Sequence, residues 1–300
     1  HVNAVYNIAI GYNAGKSFGA NNVYSNILIG RQAGMNINSG DASNTIAIGT
    51  NAGIDITSGQ RNLLIGSEAG TNISTSDDNT AIGYNAMHGN DSTAGTGTGR
   101  NTGMGSSVLY AITTGQQNVA IGTSAGSTLT TTSHTVLIGH NAGLAINSTD
   151  ANGTVAIGME AGKAITSGAS NVAIGYEALK TTTTGLRNIA IGYEAMHDTD
   201  AGSSSSDSDN NIFIGYTAGG GAWANAKSEF NVAIGSNVMQ GVLNGAVYNS
   251  ALGYFALASV TSGDKNVAVG SEAGYAITSA TNNTFVGYQS GFALIDGTSN

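Results

Sequence analysis

The chain holds 300 residues with 45 glycines, no proline and no cysteine, and only 9% of it is charged, leaving a formal net charge of -9. Glycine without a triplet period or proline excludes collagen, Ile and Val recurring at fixed places exclude disorder, and nine scattered Lys and Arg exclude a nucleic-acid partner. Missing cysteine removes disulfides and thiolate metal sites, and no apolar run reaches the roughly 20 residues of a spanning helix, so no membrane insertion by this segment is expected.

The first element, "NIAIGYNAG" at 7–15, sets the pattern. Ile8 and Ile10 flank Ala9, and apolar residues two apart on a β-branched segment predict a short strand that buries their face, with the alanine pointing the other way. Gly11 then turns the chain. The same glycine recurs at 30, 49, 66, 83, 105, 122, 139, 158, 175, 192, 215, 235, 253, 270 and 287, making sixteen copies. Eight of the fifteen spacings are 17 residues and the rest run from 18 to 23.

Positions are counted below from this glycine. Asn stands at -4 in thirteen copies, among them Asn7, Asn118, Asn171, Asn188 and Asn266, and is expected to form a structural hydrogen-bond ladder from coil to coil. Ala stands at +3 in thirteen copies, where a tight corner is expected. At +7 lies a second apolar column, including Phe18, Ile37, Ile56, Ile165, Val242 and Leu294, predicted as a second short strand and followed by Thr or Ser and often Gly. One such unit buries too little to fold alone, so the units must stack. The expectation is an all-β fold, a β-solenoid (β-roll) of about sixteen coils with two short strands per coil, filling residues 1–300 as one continuous repeat domain. At a strand spacing of about 4.8 Å, sixteen coils predict a rod of roughly 75 Å.

Farther along the chain, three insertions interrupt the period, near 88–100, 197–211 and 219–230. In the first, "GTGTGR" at 95–100 has the look of a dinucleotide turn, but no helical pattern follows. Between the first and second, Glu160, Glu177 and Glu194 share the +2 column and Lys163, Lys180 and His197 the +5 column, so stacking sets an acidic row beside a basic one. The second insertion carries Asp198, Asp200, Asp207 and Asp209, candidate surface-binding residues whose serine-rich setting reads as a solvated excursion more than a calcium site, and no metal is expected. The third carries the only tryptophan, Trp223, either a surface ring for a sugar face or, the favoured reading, a cap on the solenoid wall. Tyr follows the glycine in seven copies, among them Tyr176, Tyr193 and Tyr216. The five histidines have neither metal-ligand spacing nor nucleophile partners, so neither catalytic residues nor a cofactor are expected.

The phrases "NIAIGYNAG", "NTAIGYNAM" at 79–87 and "NTFVGYQSG" at 283–291 resemble the repeats of trimeric autotransporter adhesin heads and of phage tail fibres. That resemblance covers all sixteen units. It implies a left-handed β-roll, three chains around one axis, and attachment to a surface. The coil is longer than the adhesin unit, and His1 opens without a signal-like segment, so the chain reads as a mature product or an excised portion. The expected role is a structural and adhesive module of an extracellular or virion fibre. Its partners would be copies of itself, as a homotrimer, and a host-surface glycan or protein receptor. The alternatives are an ice-binding solenoid, for which only local threonine clusters such as "TTTT" at 181–184 speak, and a polysaccharide-active solenoid enzyme.

Overall fold

A computed structural model of the chain describes residues 5–18, 23–39, 42–89, 99–199 and 207–294. The chain is an all-β parallel β-solenoid of about 15 coils. It forms two compact units, His1–Asn152 and Gly153–Asn300. The first carries eight strands, β1 (Ile8–Ile10) to β8 (Val136–Ile138), and the second eight more, β9 (Val155–Ile157) to β16 (Thr284–Val286). Within each unit the strands pair in sequence order, all parallel and in register on the repeat: Ala47 faces Leu64 in the first, and Ala173 faces Ala190 in the second.

Each coil has one strand, of three residues, where two had been expected. The +7 column lies in turns instead. Ile56 and Ile165 donate their amides three residues back, to Gly53 and Gly162, both at 3.2 Å, so the backbone there curls and builds no continuous ladder. A single 3-10 turn, Thr149–Ala151, interrupts the first unit just before its end.

A second expectation is reversed. The middle residue of the strand faces inward, and its two aliphatic neighbours face out. Ala47, Leu64, Ala120, Leu137, Ala173, Ala190 and Phe213 are fully buried, whereas Ile121, Val232 and Ile234 are 37 to 38% exposed. Every strand from β2 (Ile27–Ile29) to β16 has this buried centre between more exposed flanks. The coil is too thin to do otherwise. Its interior already holds the +3 alanine and the +7 aliphatic, as with Ala52 and Ile56 or Ala161 and Ile165, all without exposed surface. Two further isoleucines per coil have no room.

Space inside is shared between the strand centre and position +4. Where the centre is large (Leu28, Leu64, Leu137, Phe213, Phe285), the residue at +4 is glycine (Gly34, Gly70, Gly143, Gly219, Gly291). Where +4 is Met87, Leu109, Leu179, Met196, Met239 or Leu257, the centre is Ala or Gly. A Cβ built on Gly34 would lie 2.7 Å from Leu28 Cδ2, and one on Gly143 the same distance from Leu137 Cδ2. The two columns fill one slot, and close packing admits one large side chain per coil there.

The turn glycine is required twice over. At Gly175 φ is +134°, and a Cβ would collide with the carbonyl of Gly192 in the next coil. From coil to coil these glycines lie backbone on backbone, which is why the column admits no other residue in any of the sixteen copies.

Candidate functional site

The outward residues at -3 and -1 make each unit's most distinctive surface. In the second unit the pairs run Val155/Ile157, Val172/Ile174, Ile189/Ile191, Ile212/Ile214, Val232/Ile234, Ser250/Leu252, Val267/Val269 and Thr284/Val286. In the first the same rows are aliphatic except at Thr80 and Thr102, with Met104 at -1 of the latter strand. Because strands pair in register, the side chains form two parallel ridges two residues apart along the chain. Leu252 is 50% and Val286 69% exposed, with Val232, Val267 and Val269 near 37%. Each unit thus presents on the order of several hundred Å² of contiguous apolar surface, as large as or larger than the biggest patch of an ordinary monomer.

A tyrosine row borders this face at +1. Tyr176, Tyr193 and Tyr216 stack with centroids 5.1 and 5.3 Å apart and planes within 12° of parallel. All three are exposed. Beside them lies the charged ladder anticipated from the columns. Lys163 Nζ is 2.8 Å from Glu160 Oε1, and Lys180 Nζ sits 3.0 Å from carboxylate oxygens of both Glu160 and Glu177. His197 Nε2 is 2.8 Å from Glu177 Oε2. Hydrogen bonds from Lys163 and then Lys180 hold the Glu160 carboxyl down at about 2. Burial pushes Glu177 upward, but hydrogen bonds from Tyr176, Lys180 and His197 outweigh it, and the net shift is downward. The first unit repeats the pairing more loosely, with His88 Nε2 3.8 Å from Glu68 Oε2.

Behind the strands runs the asparagine ladder. The Asn118 amide accepts the Thr135 N–H at 3.0 Å and donates to Thr132 O at 2.9 Å, and Asn171 accepts from Asn188 N at 2.9 Å and donates to Gly185 O at 2.7 Å. Asn188 accepts from Asn211 N and Asn266 from Asn283 N, both at 3.1 Å, while half-buried Asn7 begins the series by accepting from Asn26 N at 2.9 Å. Each side chain thereby ties its own corner to the following coil, supplying partners that water would otherwise supply.

The candidate binding residues scatter. Trp223 is fully buried and so is not available to a surface ligand. Its ring packs against Phe213 at 5.6 Å and its Nε1 donates to Gly219 O at 2.9 Å. The extra glycines of that insertion bring Trp223, at +8, into the inner space that the +7 aliphatic occupies elsewhere. The following insertion-containing coil shows the same offset, where Leu243 is buried and Val242 is 48% exposed. Asp198 contributes its carbonyl to Trp223 N at 2.8 Å. The Asp207 carboxylate accepts from Thr184 and lies 3.9 Å from Lys227 Nζ, and Asp209 Oδ1 accepts from Leu186 N at 2.6 Å. Asp200 lies outside the described residues. Among the described residues no cluster of three His, Asp or Glu has the geometry to hold a metal ion. No helix there is long and apolar enough to cross a membrane.

The threonines expected after the +7 aliphatic form a column at +8. Thr57, Thr113, Thr130, Thr166 and Thr261 each donate the hydroxyl to a carbonyl of the next coil, at 3.1 to 3.2 Å. Those hydroxyls bind the stack together and do not form a free array on its outside.

No protein-family model matches the chain, and neither the curated proteins nor the solved structures yield a match.

Proposed function

We propose that the chain is a structural and adhesive repeat module of an extracellular or virion fibre, a left-handed roll that associates as a homotrimer and attaches to a surface glycan or protein receptor. The observation that carries this reading is the outward aliphatic face. Water-exposed ridges of Ile and Val are costly to maintain on a free surface, and a second copy offers the same ridges in the same coil spacing. A stable interface buries roughly 800 Å² on each partner, a size that the ridges would have to supply. The buried asparagine column and the +8 threonines suit a passive spacer, since they are engaged in coil-to-coil hydrogen bonds.

Glutaraldehyde cross-linking of dilute protein tests the assembly, and retention of the labelled chain on cell surfaces tests the attachment. A three-chain band with saturable retention supports the proposal; a monomer band alone, or no retention, counts against it.

A further inference from the structure

In the first unit, positions -6 and -5 of four successive coils read Gln60-Arg61, Asp77-Asp78, Gly99-Arg100 and Gln116-Gln117. These rows lie on the corner just before the asparagine ladder. The -6 row lacks a side chain at Gly99, where the backbone runs so close that a Cβ would sit 2.5 Å from Asp77 O. One missing rung, about 4.8 Å high, leaves a notch between neighbouring rungs. Arg61, Thr75, Asp77, Asp78, Arg100 and Gln116 line it, with Gly99 as its floor.

The charges there are not equivalent. Arg61 is committed: its guanidinium holds both Asp78 oxygens, at 2.5 and 3.1 Å, and Gln60 Oε1 at 2.7 Å. Asp78 is correspondingly held below the usual carboxylate range, first by that hydrogen bond. Asp77 accepts Gln60 N at 2.8 Å through Oδ1, which leaves Oδ2, 3.5 Å from Arg61, facing the notch. Among the described residues none hydrogen-bonds the Arg100 guanidinium. Arg100, whose charge also helps to lower Asp78, thus makes no hydrogen bond to a described residue, and Asp77 Oδ2 has only a 3.5 Å pairing with Arg61, so each has capacity left for a ligand. A simple anion would pair with Arg100 but meet the charge of Asp77. A neutral sugar would satisfy Asp77 through its hydroxyls but leave Arg100 unpaired. A ligand bearing both a carboxylate and hydroxyls answers both groups, the first through a two-point guanidinium pair and the second by donating to Asp77.

We propose that the notch over Gly99 binds an acidic sugar residue, its carboxylate on Arg100 and its ring hydroxyls on Asp77 and Gln116. This names a ligand for the attachment half of the function proposed above and rests on it.

The test is titration of the full chain with glucuronate, glucose and acetate, followed by saturation-transfer NMR. Glucuronate is expected to bind at least tenfold tighter than either of the others. Arg100→Gln should weaken it at least tenfold with an unchanged circular dichroism spectrum, and Asp77→Asn should narrow the preference over acetate. Equal binding of acetate and glucuronate, no transfer from glucuronate at millimolar concentration, or indifference to Arg100→Gln would overturn the assignment. Cross-linking and surface retention are measured on the same samples. If they persist when glucuronate fails, only the ligand is wrong; if they vanish while glucuronate binds, the fibre reading fails instead.

Discussion

A Cβ on Gly219 would lie 2.5 Å from Cδ1 of Phe213, so the glycine and the ring are two halves of one volume. Gly219 also has φ +61°, a conformation that Met196 and Met239 adopt at the same position in adjacent coils, where the strand centre is alanine.

Gly219→Met alone is therefore expected to cost about 3 kcal/mol or more through overpacking, and Phe213→Ala alone a similar amount through a cavity. Combined, Phe213→Ala with Gly219→Met should recover at least half of the summed loss. Urea unfolding followed by Trp223 fluorescence reads it directly, because the indole touches both residues. Additive losses would show that the two positions do not share space.

Thr45 stands where thirteen other coils have asparagine. Its hydroxyl is buried without a hydrogen-bond partner, although its backbone N–H still donates to Asn26 Oδ1 at 2.9 Å. Thr45→Asn, nearly equal in volume, restores a ladder acceptor for Asn62 N and a donor toward Gly59 O. A gain of about 1 kcal/mol in urea is expected. A loss would mean that the ladder is an accompaniment of stacking and not a support for it.

Glu160 lies between two lysines and is held at about 2, below its ordinary value of 4.5. A carboxyl depressed on folding contributes stability that is complete above the unfolded value and is lost as pH falls through the folded one. Glu160→Gln should cost about 1 to 2 kcal/mol at neutral pH, allowing for partly exposed lysines. The gap from wild type should close between about pH 4.5 and pH 2, the two values that bound the shift. A gap that stays constant to pH 2 would remove the ionic contribution.

The period, the turn glycines, the strand before each glycine and the charged columns were legible because each depends on one repeated position, and sixteen copies make a column visible, whereas the second strand expected at +7 is a turn. Which strand face turns inward was not legible. Alternation supplies two faces, and the usual preference for burying the larger aliphatic chose the wrong one because the interior, already holding the +3 and +7 side chains, has room for one strand residue and not for two aliphatic neighbours as well. The size exchange between strand centre and +4 was the available signal: Leu64 with Gly70 and Ala190 with Met196 are informative only when the two columns are read together. Of the two readings of Trp223, the surface ring fails because an insertion shifts the inward position by one residue, which the spacing alone does not mark. The notch over Gly99 was hidden because it is made by a missing side chain among residues from four coils.

Sedimentation equilibrium of the wild-type chain beside a Val172→Thr, Ile189→Thr, Ile212→Thr, Val232→Thr variant tests the outward aliphatic face most directly. Threonine already occupies that row at Thr284, so the strands should persist by circular dichroism. The account predicts a particle of three 29.9 kDa chains for wild type and dissociation to single chains for the variant. A wild-type monomer, or a variant that assembles as tightly as wild type, would contradict it.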